Sequence, residues 1–449
     1  MREPIVAIAT PLGESAVGLI RLTGSGVLDI AKRFFKTKSD IKPRRVYFGT
    51  LYDPSGSVVD EGLLVYFKGP ASYTGEDLVE ISLHGNPFIL RKALETFIHG
   101  GCKLAQPGEF TKRAFLNGKM DLTQAEAVAD LISAKTNLAH RAAISQLRGE
   151  MSKYIKPLRE TLIELSAYIE ADIEFSEEDI PTLTREQVVN MVDKVLAGID
   201  DLLKTSKAGR FLRHGIKLAI VGKPNVGKSS IFNALLGQDR AIVTDVEGTT
   251  RDYLEEALNI KGIPVILVDT AGIRYTADPV EKIGVQKSLE KINEADVVVF
   301  VVDASRGLDS DDLRIYDNVS DRDVIVVLNK VDLPVKGIPL EIFRGRSIIK
   351  VSALTGQGLE DLETEILRNV GILTYEGLNI YVSIRHEELL RKSRDVLRKF
   401  RDLYMEDYVS PEIAMLYVRE AADYLGEIVG VISTEDILGS IFSKFCVGK

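Results

Sequence analysis

Gly222-Lys-Pro-Asn225-Val226-Gly227-Lys228-Ser229-Ser230 decides the fold of the centre of the chain. Its first eight residues fit the phosphate-loop pattern, with two glycines five positions apart and Lys-Ser after the second. A short β-like run, Lys217–Val221, precedes it, and Ser229–Leu236 reads as a helix. In that setting backbone N–H groups wrap phosphates and the helix N-terminus adds a favourable dipole. Lys228 reaches the β- and γ-phosphates, and the Ser229 hydroxyl binds Mg²⁺. A chance match somewhere in the chain has a probability of about 2% from average residue frequencies.

Further motifs follow in the required order. Asp269-Thr270-Ala271-Gly272 ends the apolar run Val265–Val268. Asp269 belongs beside the magnesium, through water, and the Gly272 N–H meets the γ-phosphate. Asn329-Lys330-Val-Asp332 ends the run Val324–Leu328. The Asp332 carboxylate can accept hydrogen bonds from guanine N1 and N2, donors that adenine lacks, so the choice of GTP rests there. Ser352-Ala353-Leu354 follows the run Ile348–Val351 and completes the base pocket. Thr244-Asp245-Val246-Glu247-Gly248-Thr249-Thr250 falls between the first two motifs and is assigned to the nucleotide site. Thr250, in preference to Thr249, is the expected Mg²⁺ ligand. Where Ras-type GTPases carry a water-orienting glutamine, this chain has Ile273. An aliphatic chain cannot orient water. Hydrolysis therefore uses another group, with Asp278 and Glu281 nearby, or the protein merely binds GTP.

The 449 residues exceed one core and suggest roughly three domains. The longest apolar run, Val297–Val302, is too short to cross a bilayer, and Met1–Thr10 lacks a signal-peptide layout. A cytoplasmic protein without a membrane partner is expected. Two cysteines, Cys102 and Cys446, exclude a disulfide framework or a cysteine-rich zinc site. A net charge of −9 leaves RNA contact to local patches such as Lys42-Pro-Arg-Arg45 or the Arg391–Arg401 region, each of which reads first as solvated surface. DNA binding is not expected.

Around the phosphate loop the texture changes three times. Residues 1–118 mix β-like runs (Ala16–Leu22, Val46–Leu51, Gly62–Phe67, Leu78–Leu83) with one helical pattern, Phe88–Ile98, and read as an α+β domain. Residues 119–210 are amphipathic helices, with a capping box at Thr123–Glu126 and a helical run at Val188–Leu203. Residues 211–373 alternate strand and helix, as a mainly parallel sheet does. From 374 to 449 helices return, with Ser410-Pro411 as a helix start and a second capping box at Ser433–Asp436. The fold class is a multidomain α/β protein: an α+β N-terminal domain and a mostly helical domain into which a P-loop GTPase domain is inserted. Two separate helical domains are the alternative.

The phosphate loop, Gly248-Thr-Thr-Arg-Asp252 and Asp-Thr-Ala-Gly-Ile273 resemble bacterial GTPases in which a hydrophobic residue replaces the catalytic glutamine. Tyr73–Asp77, Gly108–Asn117, Asp121–Glu126 and the tail Phe445-Cys-Val-Gly-Lys449 narrow this. With them the chain resembles, end to end, the MnmE (TrmE) family of tRNA modification GTPases. That resemblance implies a homodimer that works with the flavoprotein MnmG on the wobble uridine of certain tRNAs. They install a carboxymethylaminomethyl or aminomethyl group at C5, the one-carbon unit coming from a tetrahydrofolate derivative bound in the N-terminal domain. It also implies GTPase-domain pairing helped by K⁺, with Asn225, Thr244, Val246 and Thr249 as ligands. Glu281 would be the catalytic acid, beside Lys228 and Thr250. Arg21, Glu80 and Lys119 would contact folate. Cys446 is either a functional thiol or a buried apolar residue, and His84, at an expected turn, has no assigned role. The alternative function is a GTP-dependent factor that binds RNA or ribosomal particles during assembly. Such a factor needs an RNA-binding module, and no KH-type loop stands in the expected setting.

Overall fold

The computed structural model describes residues 3–174, 183–240, 257–268, 292–372, 380–406 and 410–449. Its N-terminal unit is a seven-stranded sheet ordered β3-β4-β5-β6-β2-β1-β7. The strands are β1 (Ile5–Ile8), β2 (Ser15–Thr23), β3 (Phe35–Thr37), β4 (Val46–Tyr52), β5 (Val58–Phe67), β6 (Leu78–Gly85) and β7 (Lys103–Leu104). Neighbouring strands are antiparallel except β1 and β7. Helices α1 (Val27–Phe34) and α2 (Pro87–His99) bury Ile30, Phe34, Leu90 and Phe97 against Ile20, Leu22, Leu64 and Ile81. Asn86 caps α2, and Pro87 at its first turn has no N–H to leave unpaired. The opposite face of the sheet is open, and Val17, Val46, Phe48 and Leu63 are exposed on it. Short β1, β3 and β7 gave no legible pattern in sequence, nor did α1 or α3 (Glu109–Leu116).

The helical unit comes from two stretches of chain. Before the GTPase unit run α4 (Leu122–Ser133), α5 (Asn137–Leu147), α6 (Glu150–Glu174), α7 (Arg185–Lys204) and α8 (Ser206–His214). After it come α12 (Ile384–Met405), α13 (Pro411–Val429) and α14 (Glu435–Phe442). Leu162 and Leu165 of α6, Val192 and Ile199 of α7, Leu390 and Leu397 of α12, and Val418 and Leu425 of α13 share one core. Each helix alone has an uncovered apolar stripe, so packing of both stretches is what stabilises any of them.

Both capping boxes shift. Asp121, not Thr123, is the N-cap of α4: its carboxylate accepts from the Gln124 N–H, and Gln124 accepts from the Asp121 N–H. Glu126 is free for another task. It is buried and paired with Arg385 at 2.8 Å and His386 at 2.8 Å, both at the start of α12. At α14 the cap is Thr434, whose hydroxyl accepts from the Ile437 N–H, so Ser433 lies outside the box. The Arg391–Arg401 patch is largely neutralised: Arg391 pairs with Glu387, Arg394 and Arg398 with Asp200, and Arg401 with Asp193.

The GTPase unit is a six-stranded sheet ordered β13-β12-β11-β8-β10-β9. β8 (Ile216–Val221), β10 (Ile263–Val268), β11 (Val297–Asp303), β12 (Val324–Asn329) and β13 (Ser347–Val351) are parallel, and β9 (Ala257–Ile260) is an antiparallel edge strand. Side chains alternate between two cores, which explains the unbroken Val/Ile runs. α9 (Lys228–Arg240) and α11 (Leu359–Asn369) pack on one face, and α10 (Ser310–Asp317) on the other. Entry and exit of the unit lie together. A Cβ on Gly209 of α8 would sit 2.3 Å from the Val382 carbonyl. Among the described residues no helix is long and apolar enough to cross a membrane.

Candidate functional site

The nucleotide site is built at the C-terminal ends of β8, β12 and β13, where open α/β sheets place ligands. β8 delivers the loop 222–227 and α9 begins at Lys228. Gly222 (φ 149°) and Gly227 (φ 98°) are required as glycines: a Cβ would stand 2.4 Å from the Val301 carbonyl and 2.2 Å from Asn329 Nδ2. Asn225 adopts φ 66°, a left-handed conformation that asparagine tolerates better than most residues. The Lys228 ammonium donates to the Gly222 and Lys223 carbonyls, each at 2.8 Å, and burial pushes its pKa down. Ser229 and Ser230 are exposed in the first turn of α9.

Asn329 joins the phosphate loop to the base loop. Its Nδ2 donates to the Val226 carbonyl at 2.8 Å, and its Oδ1 accepts from the Ala353 N–H at 3.2 Å. Lys330 donates to the Asn225 carbonyl at 2.9 Å and to Asp303 at 2.6 Å. Burial raises the Asp303 pKa, but hydrogen bonds from Lys330 and Ser305 outweigh that and hold it below the usual carboxylate range. Asp332 is exposed and accepts from the Ser352 hydroxyl at 2.6 Å, which leaves carboxylate lone pairs for a base edge. Leu354 is 86% exposed at the mouth. Asp303, at the end of β11, and Lys223, paired with Asp309 and Asp312, were missed in sequence. A charged residue at the C-terminal end of a buried strand was the available signal for Asp303. Thr244 to Thr250, Asp269 to Gly272, Ile273, Asp278 and Glu281 lie outside the described residues.

A second constellation forms where the C-terminus returns to the N-terminal sheet. Arg21 on β2 and Glu80 on β6 are cross-strand partners, joined at 2.7 Å. Arg21 also donates to the Gly448 carbonyl at 3.1 Å and lies 5.7 Å from the Tyr73 ring centre. The Phe110 N–H donates to the Lys449 carbonyl at 3.1 Å. A Cβ on Gly448 (φ 100°) would stand 2.6 Å from the Ile8 carbonyl, so the tail lies flat on β1. Phe445 is buried against Phe442 and Leu122, whereas Cys446 is exposed, so Cys446 is not a packing residue. Lys449 was not singled out in sequence. Burial, then nearby Arg21, pushes its pKa down. Lys119 is not in this group: its ammonium donates to the Pro70 carbonyl at 3.1 Å and lines a neighbouring cavity. His84 lies within β6 rather than in a turn, 2.9 Å from Asp60.

Comparison with known proteins covers the chain from end to end. The family model "GTP-binding protein TrmE N-terminus" matches residues 4–119, and "MnmE helical domain" matches residues 122–446. The chain is 65% identical over 449 residues to a tRNA modification GTPase MnmE of Aquifex aeolicus, covering 100% of both chains. It is 44% identical over 457 residues to a protein of the same name from Acetivibrio thermocellus, covering 100% of this chain and 99% of the relative. A crystal structure of Aquifex aeolicus Era bound to GDP.AlF4- is 32% identical, covering 40% of this chain and 66% of that chain, with a TM-score of 0.29.

Proposed function

Because the chain belongs to the MnmE family of tRNA modification GTPases, we propose that it hydrolyses GTP at the 222–230 loop to drive modification of a tRNA. The observation that carries the GTPase reading is Asn329, whose one amide fastens the phosphate loop to the base pocket. Phosphates and guanine are thereby held at a fixed separation. Lys228 would exchange its carbonyl partners for phosphate oxygens. The two glycines let the loop backbone pack tightly, since a Cβ at either position would collide with the Val301 carbonyl or the Asn329 amide. Mg²⁺ would be held by Ser229 and Thr250, with Asp269 through water, and would offset charge on the phosphates.

The finer reading is as follows. K⁺ would be held by Asn225, Thr244, Val246 and Thr249 and would offset charge on the phosphates, as an arginine finger does elsewhere. Glu281 orients the attacking water. The modification site uses a tetrahydrofolate one-carbon donor held by Arg21, Glu80 and Lys119, and Lys449 adds a cation beside the first two. A flavoprotein of the MnmG kind completes the wobble-uridine reaction. The protein acts as a cytoplasmic homodimer, and the open sheet face carrying Val46, Phe48 and Leu63 supports pairing through the N-terminal units.

The test is nucleoside analysis of tRNA from cells lacking the protein. Loss of the modified wobble uridine is expected, and unchanged tRNA would overturn the reading. In the purified protein, GTP turnover should be faster in K⁺ than in Na⁺, and Glu281→Ala should bind GTP but hydrolyse it poorly.

A further inference from the structure

The Lys42-Pro-Arg-Arg45 motif has no part in the function above. Its Arg44 projects into a cavity of about 610 Å³ whose walls include Val65, Phe67, Tyr73 and Lys119. Two consecutive carbonyls of one loop hold the two cations: Arg44 donates to Ala71 at 3.1 Å, and Lys119 to Pro70 at 3.1 Å. Neither has an ion-pair partner among the described residues, and the cavity lining contains no carboxylate. That differs from the α12 patch, where acids neutralise the arginines. Lys42 and Arg45 flank the mouth in sequence and are exposed.

Tyr73, on the cavity wall, lies 5.7 Å from the Arg21 guanidinium. Val46, Val65, Glu80 and Arg21 are direct cross-strand partners on β4, β5, β6 and β2, so they form one row on the open face of the sheet. Strand spacing places Val65 about 10 Å from Arg21. An elongated ligand with one end at Arg21 and Glu80 would therefore reach the Arg44–Lys119 cavity with its other end.

We infer that this cavity is a subsite for the oligo-γ-glutamyl tail of the folate donor, with Arg44 and its flanking cations binding carboxylates beyond the first glutamate. The inference rests on the folate reading above. Each added glutamate brings one carboxylate, and a guanidinium is shaped to take a carboxylate through two N–H groups. The apolar wall of Val65 and Phe67 suits the methylene arms between the carboxylates.

The test is calorimetric binding of tetrahydrofolate carrying one or five γ-linked glutamates to the full-length protein. Wild type should bind the pentaglutamate tighter, on the order of tenfold at low salt, with the gap closing as salt rises. In Arg44→Ala the ratio of the two affinities should fall, and Arg44→Lys should recover part of it. A misfolded variant would lose both ligands and leave the ratio undefined, so Arg44→Lys and the tryptic stability of each variant are read alongside. Equal affinities in wild type would overturn the inference, as would a ratio unchanged in Arg44→Ala. So would an Arg44→Ala effect confined to tRNA affinity, because the cations would then serve phosphates. Binding of neither folate would instead remove the folate reading itself, and this subsite with it.

Discussion

In the proposed reading, guanine selectivity comes down to one carboxylate. Asp332 accepts from Ser352 and keeps lone pairs for guanine N1 and N2. In Asp332→Asn an amide group would face those donors, and a base with an oxygen at C2 would fit better. GTP affinity should fall on the order of a hundredfold and XTP should bind instead, as nucleotide competition would measure. A second residue-scale expectation concerns Asp130 on α4, paired with Arg213 of α8 at 2.6 Å. Burial pushes its pKa up to about 6, against the opposing pull of Arg213. The folded state thus holds a proton that the unfolded chain has released, and stability attributable to this group falls as pH rises from about 4 through about 6. Asp130→Asn has no such proton. Between pH 4 and pH 7 it should gain roughly 2–3 kcal/mol relative to wild type, read from denaturant titrations at the two pH values.

At the scale of elements, the long periodic runs and the five parallel strands were legible because a strand buried on both faces, or a one-sided helix, leaves its period in the sequence. The caps were not. Asp121–Gln124 and Thr123–Glu126 both satisfy the spacing of a capping box, and only packing separates them. Glu126 is drawn off by Arg385 and His386, 259 and 260 residues away, a pairing no local window contains. α4 also carries Asp130 one turn further on, so its two acids grip the helix entering the GTPase unit through Arg213 and the helix leaving it through Arg385. Gly209 on α8 belongs to the same junction. Gly209→Val would drive a side chain into the Val382 carbonyl, and should cost about 2–4 kcal/mol and lower the thermal midpoint of the helical unit.

Across the whole molecule, the nucleotide site was readable because its groups lie within short motifs whose backbone geometry is local. The tail site was not, since 427 residues separate Arg21 from the Gly448 carbonyl it binds. Removal of residues 446–449 should leave GTP turnover within about twofold, because the tail's contacts with Ile8, Arg21, Gly108 and Phe110 lie in the N-terminal unit. It should release Arg21 from the Gly448 carbonyl while leaving its pair with Glu80, and abolish tRNA modification, a split that paired GTPase and nucleoside assays would resolve.

Gly209 and Val382 touch, so the chain enters and leaves the GTPase unit at one junction, while Leu138 and Ala142 of α5 pack against the same unit. A polypeptide with that geometry can be shortened without being opened. Excising residues 216–380 and splicing the cut ends with a few glycines should yield a smaller protein whose N-terminal sheet and helical core still fold. It would retain the tail on β1 while lacking the phosphate loop. Titrating that minimal scaffold with the proposed folate donor would show whether binding needs the GTPase unit.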